Sequence, residues 1–399
     1  MKKYIKSLLA TAFFGVSAFG ASGYDVAAIV WPAYHPAPRW KELGFFGDGN
    51  GEWQYVYGAV SKFKNDNQPI VPLWGYEHED NPIVVARKID AALAAGINVF
   101  MYDWYWYEGK PFLENALNNG FLKAPNNERM KFFLMYANHN VDHLWDKKIG
   151  SKGKREIIWN AEISFDEFKT KIVPRWIEYF KKPNYYKIDG KPVLALYALG
   201  IFINGMGSPE NAKEALDYLR SEVRKAGFKD LHLMSITWNG VPAGRIPNNR
   251  KPQPSEVIKY YNFDSVSMYN WTGLTAGNRT YIDIFEETIA TYDKLQKDYG
   301  KFYPVVSTGW DTNPRYPDNE KMPIVLNKNP ADYEIALRKT KEWVDKNTPK
   351  GEQKFILINA WNEWTEGGYL EPDKTYGYGY LNATARVFGG SGQATESEK

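Results

Sequence analysis

The chain has 399 residues, enough to bury one large core, and its 44% hydrophobic and 24% charged residues are those of a globular protein. A formal net charge of +3 with no long basic run lacks the electrostatic footprint of a nucleic-acid binder. The absence of cysteine excludes disulfides, thiolate metal sites and cysteine nucleophiles, and five His are too few for a histidine-rich metal centre, so no cofactor is expected.

Along the chain, Lys2, Lys3 and Lys6 precede an apolar run, Leu8 to Phe19, that ends in the small-x-small site Ala18-Phe19-Gly20. This pattern predicts a cleavable secretory leader over 1–20 and a secreted or periplasmic protein after cleavage near Gly20. The run is shorter than the roughly 20 apolar residues a spanning helix needs, and no other segment is a membrane candidate. Residues 21–388 are expected to form one domain, followed by a polar, frayed tail over 389–399.

Within the body, eight runs rich in β-branched and aromatic residues alternate with amphipathic stretches. The predicted strands are Val26–Trp31, Asn98–Trp104, Lys131–Ala137, Pro192–Ala198, His232–Trp238, Ser265–Trp271, Tyr303–Trp310 and Phe355–Trp361. A long Gly- and aromatic-rich insertion, Pro32 to Asn81, follows the first. The predicted helices are Pro82–Ala95, Asp166–Lys181, Pro209–Ala226, Ile282–Tyr299 and Ala331–Lys346; two of them open on Pro and stop at Gly96 or Gly227. The unit between the fifth and sixth strands is irregular. Strands alternating with helices imply a parallel sheet, and eight units imply an α/β fold closed into a single (β/α)8 TIM barrel with an elaborated loop after the first strand. No glycine-rich phosphate loop follows that strand, which argues against an open doubly wound sheet.

Barrel enzymes carry their chemistry at the C-terminal strand ends. Those ends present His35, then Asp103, Trp104 and Tyr105, then Asn138 and His139, Tyr197, Trp238, Tyr269, and Trp310 with Asp311. Nearly every strand delivers an aromatic ring and a hydrogen-bonding group to one rim. In a chain with 16% aromatic residues, this pattern fits a cleft for sugars, whose C–H faces stack on rings while their hydroxyls seek polar partners. His35 and His139 either orient a sugar or sit as satisfied core histidines. Asp103 and Asp311 are placed to accept sugar hydroxyls.

After the last strand comes Trp361-Asn362-Glu363-Trp364-Thr365-Glu366-Gly367. Two carboxyls three residues apart, between tryptophans and beyond a strand end, suit glycosidic cleavage. That reaction needs a proton donor for the leaving oxygen and a second carboxylate as nucleophile or base. Apolar walls raise a glutamate's pKa and keep such a donor protonated.

This segment resembles the Asn-Glu-Trp-x-Glu-Gly signature of glycoside hydrolase family 99, the endo-α-mannosidases, and of the related WbsX-like domains of polysaccharide loci. Weaker blocks follow in order: Gly51-Glu52-Trp53, Gly75-Tyr76, Tyr102 to Trp106, Ile188 to Pro192, Gly309-Trp310-Asp311 with Arg315, and Glu371-Pro372. The resemblance implies a retaining hydrolase of 1,2-trans, α-mannoside-like bonds. In it Glu363 deprotonates the substrate's own 2-hydroxyl and Glu366 acts as general acid and base. It also implies substrate contacts for Glu52, Trp53, Arg315, Trp364 and Glu371. Thr365 stands where the mannosidases typically carry His, and Tyr136 to Asn140 lies closer to the WbsX-like group.

The expected partner is an oligosaccharide or polysaccharide; no protein partner is inferable. Asp48-Gly49-Asn50-Gly51-Glu52 begins like a calcium loop but has Ala59 where the closing bidentate Glu belongs, and Glu77 to Asp80 is taken as an acidic turn ahead of a helix. Two rival readings remain, a WbsX-like glycosyltransferase and a non-catalytic carbohydrate-binding protein. The first needs a donor site for which no phosphate-cradling loop is present, and the second has no use for paired glutamates.

Overall fold

The computed structural model describes residues 23–389 apart from 65–66, 143–156, 238–244, 250, 272 and 274–276. The predicted leader, all but the first residue of the predicted tail, and Trp238 lie outside the described residues.

Eight parallel strands close into a barrel. They are β1 (Tyr24–Val30), β2 (Val99–Tyr107), β3 (Lys131–Tyr136), β4 (Lys191–Leu196), β5 (His232–Thr237), β6 (Ser265–Met268), β7 in two pieces (Phe302–Tyr303 and Val305–Ser307) and β8 (Lys354–Asn359). Each pairs in parallel with its neighbour in sequence, and β8 returns to β1 through Tyr24↔Lys354 to Ala28↔Ile358. The circle is completed by β7, whose first piece pairs with β6 and whose second pairs with β8. Pro304 lies between the pieces; without an N–H it cannot donate to the ladder, and the strand changes partner there. Every residue of β1, β2 and β5 is buried, as expected of strands covered by packed side chains inside and helices outside.

The helical layer contains α1 (Pro82–Ala94), α2 (Val173–Phe180), α3 (Leu199–Met206), α4 (Pro209–Lys225), α5 (Pro254–Tyr261), α6 (Tyr281–Ile289), α7 (Tyr292–Tyr299), α8 (Pro330–Asn347) and α9 (Gly379–Phe388). Asn81 and Ser208 cap α1 and α4 through their side chains, each with Pro in the first turn. The helix predicted over Ile282–Tyr299 is two helices. Thr288 and Thr291 donate their hydroxyls to the carbonyls of Ile284 (2.8 Å) and Thr288 (2.7 Å) at the break, and such local bonds compete with the helical ladder. The helix predicted over Asp166–Lys181 is interrupted by a π-turn, Phe168–Ile172. The irregular stretch before β6 contains α5, opened by a Gln253–Glu256 capping box. The predicted strand Pro192–Ala198 stops at Leu196, and Ala198 instead precedes α3.

The insertion after β1 folds back over the rim, with short helices Trp40–Leu43 and Trp53–Tyr57. At Gly51 (φ +64°) a Cβ would stand 2.4 Å from the Ala33 carbonyl oxygen, so only glycine lets the loop lie this close to the β1 exit.

Candidate active site

Beyond β8, residues Asn362–Glu363 pair antiparallel with Gly368–Tyr369 across the 3-10 turn Trp364–Glu366. The turn closes at Gly367 (φ +66°), where a Cβ would press to 3.0 Å on Asp311. This tight hairpin turns both Glu363 and Glu366 into a cavity of about 710 Å³ at the C-terminal mouth of the barrel.

The cavity is also lined by Asp103, Tyr105, His139, Tyr197, Tyr269 and Trp310, and by Arg315. Ring contacts of 5.5–5.8 Å link Tyr105 to His139, His139 to Tyr197 and Tyr197 to Tyr269, making one aromatic wall. Alternation along β2 decides which of its residues take part. Asp103 and Tyr105 face the cavity, whereas Trp104 points outward, where its indole N–H donates to Glu114 (2.6 Å) and its ring meets Tyr136 and Trp176. The expectation of Trp104 on the cleft is corrected on that ground.

Arg315 is the electrostatic centre. Its Nε donates to Glu52 Oε1 at 2.9 Å, one terminal nitrogen contacts Glu366 Oε1, and the other lies 4.0 Å from Glu363 Oε1. The Trp31 indole N–H donates to the second oxygen of Glu52. Burial opposes the guanidinium charge, but Glu52, Glu366 and Glu363 outweigh it and hold Arg315 firmly protonated. Burial, reinforced by Glu366 beside it, pushes the Glu363 carboxyl well above the usual range, and Arg315 pulls the other way. Asp103 is raised for the same first reason, and its Oδ1 has no partner in the protein. Burial lowers the His139 pKa, and its Nδ1 lies 3.2 Å from the Asn140 carbonyl. The site therefore couples two close carboxyls, a fixed cation and a third buried carboxyl, Asp103, in one pocket. That equipment suits proton transfer at a glycosidic oxygen.

Several expected contacts lie off the cavity wall. Asp311 accepts from the backbone (2.9 Å) and side chain (2.7 Å) of Asn313 and from Gln68 (2.8 Å), and so anchors the turn that carries Arg315. Asn138 exchanges two hydrogen bonds with the backbone of Ala198 and joins the ends of β3 and β4. Trp53 packs on Tyr34 and Trp364 and donates to the Glu77 carbonyl. His35 is wholly buried under the first loop, both ring nitrogens lack partners, and burial lowers its pKa to about 4. Glu52 acts behind the wall, through Arg315 and Trp31.

Trp364 and Glu371 belong to a second cluster. The Trp364 indole donates to Glu371 Oε2 (2.8 Å), and Lys88 on α1 bridges Glu371 and Glu79 at 2.6 Å each. Asn362 donates to Glu79 (2.8 Å) and exchanges two backbone bonds with Trp31, both 2.8 Å.

Trp31, Thr312, Tyr316, Met322 and Ile201 line the cavity although the sequence did not single them out. Trp31 had a usable signal, an aromatic at the end of the first strand. The others come from loops or from α3 and have none. Among the described residues no group of three or more His, Cys, Asp or Glu is arranged to hold a metal ion, and no helix is long and apolar enough to cross a membrane.

A family model described as "Glycosyltransferase WbsX" matches residues 26–384. A protein of Xanthomonas campestris pv. campestris, "Uncharacterized protein WxcX", is 26% identical over 375 residues, 91% of this chain. The match covers 49% of that protein, so the chain spans about half the length of the curated relatives it matches. Among solved structures, a "Glycoside hydrolase-like protein" is 15% identical with a TM-score of 0.57, covering 92% of this chain and 94% of the other. The GH99 endo-α-mannosidase from Bacteroides thetaiotaomicron, in complex with bis-tris-propane, is 16% identical with a TM-score of 0.55, covering 91% and 95%. At these identities the structural matches establish a shared fold.

Proposed function

The chain belongs to the family described as Glycosyltransferase WbsX, and from that premise and the geometry of its glutamate pair we propose that it is a glycoside hydrolase. Its substrate is a 1,2-trans, α-mannoside-like bond in a polysaccharide or other glycan, cleaved with retention and with help from the substrate's 2-hydroxyl. As the expected leader implies, it acts outside the cytoplasm.

The observation that carries this reading is Glu363 and Glu366 on one cavity wall, with Arg315 in contact with Glu366 and 4.0 Å from Glu363. In the proposed sequence, Glu363 takes the proton of the 2-hydroxyl, whose oxygen attacks the anomeric carbon from the face opposite the leaving group. Glu366 protonates the departing oxygen. Water, deprotonated by Glu366, then attacks the anomeric carbon and opens the 1,2-anhydro sugar while Glu363 returns its proton to the 2-oxygen, and two inversions give net retention. The back-side attack requires the 2-hydroxyl trans to the leaving group, which restricts the substrate class. A 2-deoxy or 2-O-methyl analogue of a cleaved glycan should bind without turning over; efficient cleavage of it sinks the neighbouring-hydroxyl mechanism.

One observation favours the same reaction with the roles exchanged. Burial and the neighbouring Glu366 favour the proton on Glu363. Aryl glycosides with a good leaving group decide between the assignments, because loss of the acid spares their first step and loss of the base does not. A variant at Glu366 that keeps aryl-glycoside turnover supports the first assignment; a spared variant at Glu363 supports the exchange.

The family description itself favours a second reading, transfer of the sugar to an acceptor other than water. Product analysis on a glycan panel, with and without an added nucleotide-sugar or lipid-linked donor, separates the two. Donor-independent release of reducing sugar supports hydrolysis, and product formed only with the donor overturns it.

A further inference from the structure

The Lys88 cluster lies directly behind the hairpin that carries Glu363. Lys88 is buried on α1, and its ammonium touches only carboxyls at distances short enough to fix it, Glu79 and Glu371 at 2.6 Å each. Each carboxyl passes the constraint to a different neighbour of Glu363. Glu79 accepts from Asn362, the residue before it, and Glu371 accepts from Trp364, the residue after it, both at 2.8 Å. Asn362 is pinned a third time by two bonds to the backbone of Trp31, which lines the cavity, and Trp364 is stacked on Tyr369 at 4.0 Å.

Burying an ammonium between two carboxyls is an expensive way to hold a core together. Apolar groups of the same volume usually stabilise as well or better. What a charged cluster does supply is fixed direction, since each hydrogen bond is satisfied in one geometry only. From these contacts we infer that Lys88 is a positioning residue for catalysis, setting the placement of Glu363 by clamping Asn362 and Trp364 through Glu79 and Glu371. The inference rests on the hydrolase reading above and adds to it a residue more than 250 positions away in sequence. Misplacing a catalytic group by about 1 Å costs about 10²-fold in rate, which sets the scale of the effect.

The test compares the full-length wild type with Lys88→Met, which keeps the stem and removes the ammonium, and Glu79→Gln, which keeps an acceptor oxygen for Asn362 but breaks the ion pair. The readouts are kcat and KM on a cleaved glycan, taken well below each variant's melting temperature. Positioning predicts a kcat loss of about 10²-fold for Lys88→Met and a smaller one for Glu79→Gln, with KM nearly unchanged. It also predicts that Lys88→Met and Asn362→Ala are not additive in kcat, because both act along one chain of contacts. A purely structural lysine would lower the melting temperature while folded enzyme kept its kcat, and that result overturns the inference alone. If Lys88→Met does not fold, an unchanged kcat in Glu79→Gln overturns it equally. Wild-type protein that cleaves no glycan of the panel removes the hydrolase reading and this inference with it.

Discussion

Two buried cations, Arg315 and Lys88, each sit among glutamates next to the hairpin that follows β8, and their surroundings differ in one respect. Arg315, with Glu363 and Glu366, opens onto the 710 Å³ cavity, whereas the Lys88, Glu79 and Glu371 cluster adjoins a void of only about 10 Å³. The ionic ingredients are alike. Only the first cluster faces a substrate-sized space; under the proposed function that lets it transfer protons, while the other could act only through its neighbours. What a glutamate–cation cluster in this chain faces, not its composition, sets what it can do.

The largest effect expected tests the open cluster. Glu366→Gln keeps the shape of the site but cannot cycle a proton, so turnover on natural glycans should fall roughly 10²–10⁴-fold, with binding largely retained. Near-wild-type turnover would erase the distinction drawn between the two clusters. Replacing Arg315 with Met removes the charge that holds the Glu363 carboxyl down, so the limb of the kcat/KM–pH profile due to Glu363 should move to higher pH. A shift to lower pH would show that Arg315 acts on that limb by another route.

Sealed and open tryptophans give the next contrast. Trp104→Ala empties a site in the helix–sheet layer and should lower stability by about 3–5 kcal/mol, read by chemical denaturation. Trp310→Ala lies on the cavity and should weaken oligosaccharide affinity by about 1–3 kcal/mol in calorimetry while the fold persists. Equal effects of both changes on affinity would break the inside–outside assignment along β2.

The sealed cluster has its own pH signature. Burial pushes the Glu79 carboxyl from its ordinary 4.5 up to about 7, against the pull of Lys88. The folded state therefore binds that proton more tightly than the unfolded state, so stability falls as pH rises from about 4.5 to about 7. That loss follows by linkage and should be missing from Glu79→Gln. Parallel stability–pH curves for the two proteins would refute the assignment.

Alternating runs of buried β-branched and aromatic residues determined the eight strands and the barrel, because hydrophobic periodicity is local and each strand is buried on both faces. Glu363 and Glu366 were legible for a similar reason: three residues apart beyond a strand end, they need only one tight turn to meet. Glu52 and Arg315 were named from resemblance, but nothing in their own neighbourhoods foretold that they would form one ion pair. Trp104 shows where local reading stops, since one step along a strand reverses the face a side chain presents, and only the closed barrel decides which face is the cavity. Lys88, Glu79 and Glu371 show the rest. They come from α1, the turn before it and the segment after β8; Glu371 was named from resemblance as a substrate contact, while Lys88 and Glu79 each alone look like a solvated charge. Only the packing of the first unit of the barrel against the last brings them together as one buried ionic cluster behind the glutamate pair.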